Sequence, residues 1–251
     1  MRNIDYFDRS ADRHPDRAAI VDGDIRWSYA EARAMSHRLA LAMAGAGLAR
    51  QEPVAIFSPN HASVLLVLLG LWRAGAVWVP VNTRNALDAN IAYLTYVRAG
   101  WLFYHSSFAA EAVEVKAKVP SIRHLVCLDA PDGAHPSLEA FMAKGGEGKF
   151  LDSGDPVGNP DELVAIIATG GTTGAAKGVR VPNRSWGTLM ETIGNLMPAD
   201  DPVCLASAPL THAAGPVAMA AIAMGATVAV LPRFDAELVM RTIGEHRVTH
   251  M

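Results

Sequence analysis

Uninterrupted apolar runs alternate with helix-like segments along the whole chain. Residues 53–58, 76–81 and 101–105 are such runs, and a segment with helical periodicity follows each of them. A strand that is apolar on both faces has to be covered on both faces, which is the situation in parallel sheets flanked by helices. The sequence therefore predicts an α/β fold whose mostly parallel sheets are covered by helices on both faces.

Local signals place the remaining elements. A capping box at Ser28-Tyr-Ala-Glu31 predicts the start of an amphipathic helix. Further helices are predicted near 61–74, 88–98, 108–118, 137–144, from 183 onward, 213–224 and 236–246. Further strands are predicted at 123–128, 163–168, 178–181, 203–206 and 226–231.

Residues 130–160 are rich in glycine and proline, which is typical of a connector. This stretch predicts a boundary between a first α/β subdomain, 1–150, and a second segment, 151–251. Val248-Thr249-His250 has the pattern of another buried strand, and the chain stops inside it. We therefore expect the chain to be a fragment of a longer protein.

Composition excludes several classes of protein. Hydrophobic residues make up 51% and charged residues 19%, with a net charge of −3, so neither a disordered chain nor a nucleic-acid-binding protein is expected. Residues 62–81 are mostly apolar, but Arg73 and Pro80 favour a helix followed by a strand over a transmembrane span. Cys127 and Cys204 lie in apolar runs and are expected to be buried thiols. With no signal sequence, the prediction is a cytoplasmic protein.

Residues 168–179 read Ala-Thr-Gly-Gly-Thr-Thr-Gly-Ala-Ala-Lys-Gly-Val and directly follow a strand-like run. Glycines let backbone N–H groups form a concave nest that binds anions. Threonine hydroxyls add donors, and the lysine adds a mobile positive charge. The loop is therefore predicted to hold a polyphosphate through the following residues: Thr169, Gly170, Gly171, Thr172, Thr173, Gly174 and Lys177.

The spacing of this loop differs from that of a Walker A loop, in which Gly-Lys-Ser/Thr opens a helix. Here Gly178 follows Lys177, and the next residues, Val179-Arg-Val, have a strand pattern. A strand–loop–strand unit would bind phosphate through backbone nests and hydroxyls, without a helix dipole. A plain glycine-rich hairpin has the same composition and stays open as an alternative.

Thr169 to Gly178 resembles the phosphate-binding signature of the adenylate-forming enzymes, which include acyl-CoA synthetases, luciferases and the adenylation domains of peptide synthetases. The chain departs from that signature at Gly170, where the family has serine, and at Ala176, where it has proline. Residues 19–31, 53–60 and 71–82 also resemble family segments. The resemblance implies the N-terminal subdomains of the adenylate-forming enzyme fold.

Pro209-Leu-Thr-His-Ala-Ala-Gly215 is similar to a second family signature, with Thr211 where an aromatic residue is usual. The resemblance implies that His212 positions a substrate carboxylate where the phosphate site meets the acyl pocket. An ordinary loop histidine is the alternative. The small residues of 213–224 would suit either an acyl chain or close helix packing, and the sequence does not decide between them.

The resemblance implies an AMP-forming carboxylate–CoA ligase that uses ATP, Mg²⁺ and CoA. The carboxylate attacks the α-phosphate, which gives acyl-adenylate and pyrophosphate, and the CoA thiol then displaces AMP. Attack of one anion on another needs charge neutralisation and positioning. The catalytic residues that the resemblance implies are Lys177 and His212.

The family's adenine motif, ribose-binding aspartate and distal adenylation lysine are not found in this sequence. We therefore expect an N-terminal portion that does not turn over alone. Three alternatives stay open: a nucleotide- or acyl-binding module without catalysis, an adenylation domain that loads a carrier protein, and an unrelated glycine-loop phosphotransferase. The acid and a homodimer are also left open. No metal site is predicted, because metal-ligand spacing is lacking around His37, His61, His105, His124 and His250.

Overall fold

A computed structural model describes residues 1–130, 134–151, 159–169, 177–197 and 200–251. Its strands are β1 (Ala18–Asp22), β2 (Ile25–Ser28), β3 (Pro53–Phe57), β4 (Val77–Pro80), β5 (Trp101–Tyr104), β6 (His124–Cys127), β7 (Leu163–Thr169), β8 (Lys177–Pro182), β9 (Val203–Ala206) and β10 (Thr227–Val230). Its α-helices are α1 (Asn3–Arg13), α2 (Tyr29–Gly45), α3 (Ala62–Ala74), α4 (Leu87–Tyr96), α5 (Ala109–Lys118), α6 (Leu138–Ala143), α7 (Asn183–Leu196), α8 (Ala214–Ala223) and α9 (Ala236–His246).

The strands form two sheets. The larger has the order β6-β5-β3-β4-β7-β8 and the smaller the order β2-β1-β10-β9. Neighbouring strands are parallel except in the hairpins β1–β2 and β7–β8, which are antiparallel. The prediction of mostly parallel sheets within an α/β fold is confirmed.

Helices form a layer between the two sheets and cover their outer faces. Every residue of α3 is buried, because the helix packs against β1 of the smaller sheet and β4 of the larger one. α8 lies beside it against β9 and β10. Apolar side chains of α4 and α5 cover the far face of the larger sheet, and those of α9 cover the far face of the smaller one. Helices therefore flank both sheets on both faces, as the sequence predicts.

The apolar stretch 62–81 forms the predicted helix, turn and strand. α3 is capped at its start by His61, whose Nδ1 accepts a hydrogen bond of 3.2 Å from the backbone N–H of Ser63. It ends at Gly75, which has a left-handed φ of 68°, a conformation that glycine adopts without steric cost. In the described part of the chain, no helix is long and apolar enough to cross a membrane.

The N-terminal helix α1 is an element that the sequence analysis did not predict. Its side chains at Ile4, Phe7 and Ala11 are fully buried, a spacing that matches one face of a helix. Asp8 of α1 accepts two hydrogen bonds, of 2.9 and 2.7 Å, from the Arg73 guanidinium of α3. The helix is thereby fixed to the central helical layer.

Strands from both sides of residue 150 meet in both sheets. In the larger sheet, Trp78 of β4 pairs with Ala165 of β7. In the smaller sheet, Ile20 of β1 pairs with Val228 of β10. The division into 1–150 and 151–251 stays a prediction. After α9, His250 forms an isolated parallel bridge with Cys204, the position at which the sequence predicts strand-like residues.

Candidate active site

The hairpin of β7 and β8 holds the two ends of the predicted phosphate loop side by side. Thr169 and Lys177 are register partners, and the Thr169 hydroxyl donates a hydrogen bond of 3.3 Å to the Lys177 carbonyl. Both residues are exposed, so the hydroxyl and the ammonium can reach a ligand. The other predicted loop residues lie outside the described part of the chain: Gly170, Gly171, Thr172, Thr173 and Gly174.

A cleft of about 150 Å³ lies at the carboxyl ends of β4 and β7. Thr169 lines one side of it, and His212 with Thr211 lines another. Ligands of open parallel sheets bind at the carboxyl ends of the strands, where side chains from several connections converge. The structure therefore brings Thr169 and His212, which are 43 positions apart in the sequence, to one cleft.

A buried asparagine positions the turn that carries His212. Asn60, only 6% exposed, donates hydrogen bonds to the carbonyls of Ala208 (2.8 Å) and Leu231 (2.9 Å). Its own side-chain oxygen accepts a hydrogen bond of 2.7 Å from the Leu210 N–H. Asn60 thus fixes the connections that follow β9 and β10 relative to β3. His212 itself is exposed.

Three further asparagines form a polar wall of the cleft that the sequence analysis did not identify. Asn82, Asn85 and Asn90 line it. The side-chain amide of Asn90 donates a hydrogen bond of 3.0 Å to the Asn82 carbonyl. The side-chain amide of Asn85 donates a hydrogen bond of 3.3 Å to the side-chain oxygen of Asn90. The sequence signal for Asn82 and Asn85 is an asparagine-rich turn after β4, Asn82-Thr-Arg-Asn85, whereas Asn90 lies in α4 outside that turn. Neutral amides suit hydroxyls and phosphate oxygens alike.

Tyr93 closes the cleft from α4. Its hydroxyl donates a hydrogen bond of 3.0 Å to the Ile166 carbonyl of β7. Burial, and then the neighbouring Tyr96, raises the pKa of this phenol far above its usual value, so it stays neutral. Tyr93 therefore joins α4 to the strand that ends at Thr169.

Thr211 occupies the place where the second family signature usually has an aromatic residue. It is 7% exposed and lines both the cleft just described and an adjoining one of about 310 Å³. Arg84 and Arg233 also line the adjoining cleft, together with Phe234, whose ring is largely exposed. Two guanidinium groups and an open aromatic ring suit an anionic ligand that carries a flat ring.

His61, His105 and Asp129 cluster at the carboxyl ends of β3, β5 and β6, away from the cleft. The two imidazole rings meet edge-on with centroids 5.6 Å apart, and His105 Nε2 lies 3.3 Å from Asp129 Oδ2. Burial alone would raise the pKa of Asp129, but hydrogen bonds from the Ser106 hydroxyl and N–H hold it below its usual value. The described residues contain no group of three or more His, Cys, Asp or Glu that could hold a metal ion.

Fold and site together define an α/β protein with a polar cleft at the carboxyl edge of a mostly parallel sheet. Residues 7–251 match the AMP-binding enzyme family. The chain belongs to that family.

Individual relatives are similar over nearly the whole chain. The chain is 29% identical to the indoleacetate–CoA ligase of Aromatoleum aromaticum, over 99% of its own length and 49% of the ligase. It is 30% identical to a feruloyl-CoA synthase of an Amycolatopsis species, over 96% and 46%. The inhibitor-bound N-terminal domain of FACL13 from Mycobacterium tuberculosis superposes with a TM-score of 0.85 at 26% identity, over 99% and 62%. The chain thus spans about half the length of the curated relatives it matches.

Proposed function

We propose that this chain holds the leaving phosphates of ATP and the carboxylate of an acid substrate in an AMP-forming carboxylate–CoA ligase. The cleft that Thr169 and His212 share, next to Lys177, is the main support. Its residues offer a hydroxyl and an imidazole to a reaction between two anions, and Lys177, the register partner of Thr169, offers an ammonium beside it. The acyl-CoA ligases among the relatives support the same reaction class.

Each group has a distinct role in this proposal. Lys177 offsets charge on the β- and γ-phosphates, and the threonine hydroxyls donate hydrogen bonds to them. The two phosphates leave as pyrophosphate when the bond to the α-phosphorus breaks. His212 donates a hydrogen bond that directs the carboxylate oxygen toward the α-phosphorus. The two reactants are brought together as neighbours, which lowers the entropic cost of their encounter. Mg²⁺ would accompany ATP as its counter-ion.

The adjoining cleft is the proposed place for the CoA that accepts the acyl group. It shares Thr211 with the first cleft, so a thiol that enters from there approaches the same reacting carbon. Arg84 and Arg233 supply charge for phosphate groups, and Phe234 supplies an exposed ring for a base.

Nucleotide binding by the 251-residue chain tests the phosphate site. Calorimetric titration with ATP and with AMP measures both affinities. We expect Lys177→Gln to weaken ATP binding about tenfold or more and to leave AMP binding unchanged, because the lysine meets only the phosphates that AMP lacks. Arg180→Gln is the matched control: it removes one charge from the same strand, on the opposite face. Equal losses in the two variants would contradict the assignment.

Carboxylate-dependent exchange of pyrophosphate into ATP tests the chemistry, both with this chain and with the complete gene product. We expect the complete product to catalyse exchange and His212→Ala to raise the KM for the acid more than the KM for ATP. Binding of ATP without exchange for any acid would favour a binding module. Release of the acyl group to a carrier protein but not to CoA would favour the adenylation-domain alternative. Vigorous exchange by the chain alone would overturn the expectation that it needs further parts.

A further inference from the structure

A third cleft, of about 480 Å³, opens at the outer edge of β6, and we call it the edge cleft. Ala42 of α2, Ala46 directly after that helix and Phe141 of α6 form its apolar floor, while Arg123 and Lys144 lie at its rim. β6 is the last strand of the larger sheet, three strands from β4. At about 4.8 Å per strand, β6 lies roughly 15 Å from β4 across the sheet. The edge cleft shares no lining residue with the candidate active site.

The backbone of β6 presents an open donor to the edge cleft. The Leu128 N–H points into the sheet and donates a hydrogen bond of 2.8 Å to the Tyr104 carbonyl of β5. The Cys127 N–H points away from the sheet and donates a hydrogen bond of 3.0 Å to the Pro136 carbonyl. Because directions alternate along a strand, the N–H and C=O of Leu125 point outward as well. No described residue outside the sheet accepts a bond from the Leu125 N–H. Exposed edge groups of this kind are available to a ligand.

The charge of the edge cleft is positive. No Asp or Glu is among its lining residues, and the Lys144 ammonium has no partner in the described part of the chain. The Arg123 guanidinium binds Glu52 at 2.7 Å, yet half of its side chain is exposed, so further N–H groups remain available. Burial, and then the Arg123 charge, lowers the pKa of His124, which stacks on Trp101 as a neutral ring.

We propose that the edge cleft binds a small amphipathic carboxylate, with its apolar body on Ala42, Ala46 and Phe141 and its carboxylate between Lys144 and Arg123. One carboxylate oxygen accepts the Leu125 N–H. The volume suits a ligand with one aromatic ring or a short alkyl chain. An acid of the class that the active site would activate can thus also bind away from that site, and this part of the proposal rests on the proposed function.

Titration of the ¹⁵N-labelled chain with 4-phenylbutyrate tests the proposal, with the uncharged 4-phenylbutanol as the comparison. We expect the Leu125 amide resonance to shift saturably with the acid and little with the alcohol. Lys144→Gln should weaken binding about tenfold, as expected for the loss of one charge-assisted contact. Lys149→Gln, which removes a neighbouring exposed charge, should leave it unchanged. Ala46→Phe should abolish binding by filling the floor, and a retained circular dichroism spectrum would show that the variant is folded.

Several outcomes would overturn the edge-cleft proposal. The proposal would be wrong if the Leu125 amide did not shift, if the alcohol gave an equal response, or if the two lysine variants lost equal affinity. Arg123 and Lys144 would then be charges that protect a strand edge from pairing. Shifts confined to Thr169 and His212, abolished by His212→Ala, would place the acid in the active site alone, and the proposed function would then stand without the edge cleft. A shift with an extended acidic peptide but not with the acid would reassign the cleft to strand addition.

Discussion

At the scale of single residues, the two partners of the ion pair between Arg73 and Asp8 are unequally buried. Removal of one partner is therefore expected to destabilise the fold more than removal of the other. The Arg73 side chain is 5% exposed and that of Asp8 is 29% exposed. Loss of the carboxylate leaves a buried guanidinium that water cannot reach, whereas loss of the guanidinium leaves a carboxylate that water can solvate. We expect Asp8→Ala to lower the free energy of unfolding by about 3 kcal/mol and Arg73→Leu by about half of that. Urea unfolding measures both, and the reverse order would contradict the argument.

His37 gives stability a dependence on pH. Burial, and then the nearby Arg73 charge, lowers the pKa of this half-buried imidazole from 6.5 to about 4, and its neutral Nδ1 accepts 3.0 Å from the Phe150 N–H. Between these pH values the unfolded chain binds a proton that the folded chain does not, so stability falls as the pH drops from about 6.5 to 4. We expect His37→Gln, which keeps an acceptor, to remove on the order of 1–2 kcal/mol of this loss.

Urea unfolding of the wild type and of His37→Gln at several pH values between 7 and 4 measures the effect of His37. His246→Gln, a change in the last turn of α9, controls for the loss of a histidine elsewhere. Parallel stability curves for the wild type and His37→Gln would show that another group carries the dependence.

The residues of the candidate site differ in how far the sequence predicts them. Thr169, Lys177 and His212 belong to contiguous motifs, so a local pattern is enough to find them. Asn60 and Asn90 are isolated polar residues without a periodic signal. Their place in the site depends on the strand order β3-β4-β7, which sets the ends of strands from distant parts of the chain side by side. Contacts of that kind are set by tertiary structure, which no local pattern encodes.

At the scale of elements, a glycine holds α8 against the turn that carries His212. A Cβ on Gly215 would collide with the Leu210 carbonyl and lie 2.9 Å from the Trp78 ring. Backbone and a buried indole cannot move aside cheaply, so we expect Gly215→Ala to lower the free energy of unfolding by about 2 kcal/mol or more. The displaced turn should also weaken binding of the carboxylate at His212. The close packing of α8 here accounts for the small residue at this position.

Gly244 provides the matched control for Gly215. It lies within α9, and a Cβ there would meet no atom within 4 Å. Gly244→Ala should therefore raise the free energy of unfolding by about 0.5–1 kcal/mol, because alanine restricts the unfolded chain more than glycine does. Thermal or urea unfolding distinguishes the two variants, and an equal destabilisation of both would contradict the packing argument.

Elements with strong local signals match their predictions, but the sequence does not show which strands lie next to each other in a sheet. The capping box at α2 is confirmed: the Ser28 hydroxyl accepts 3.2 Å from the Glu31 N–H, and the Ser28 N–H donates 2.8 Å to the Glu31 carboxylate. The pairing of Ile20 with Val228 joins segments more than 200 positions apart. Apolar strands of similar composition could exchange places without changing their periodicity. Element type is therefore predictable here where the local signal is strong, which excludes α1, and sheet order is not predictable.

At the scale of the whole molecule, the central helical layer joins the two sheets into one core. Side chains from both sheets belong to a single buried cluster, which includes Ile20, Cys204 and Val228 from the smaller sheet and Val54, Trp78 and Trp101 from the larger one. Unfolding of one sheet would expose the apolar faces of the helices that both sheets cover, and the other sheet would lose stability as a result. The two sheets are therefore expected to unfold together. The clefts at the carboxyl edge depend on the contact between the two sheets. Asn60 follows β3 of the larger sheet, and it holds the connections after β9 and β10 of the smaller sheet.

The two cysteines report on the two sheets separately. Cys127 lies on β6 of the larger sheet and Cys204 on β9 of the smaller one, and both are buried thiols. Burial raises the pKa of each, so both should react slowly with a thiol reagent until they become exposed. Cys127→Ala and Cys204→Ala each leave one thiol to follow. We expect the two thiols to become reactive over the same range of urea, together with the loss of circular dichroism. Labelling of Cys204 at distinctly lower urea would show that the smaller sheet unfolds on its own.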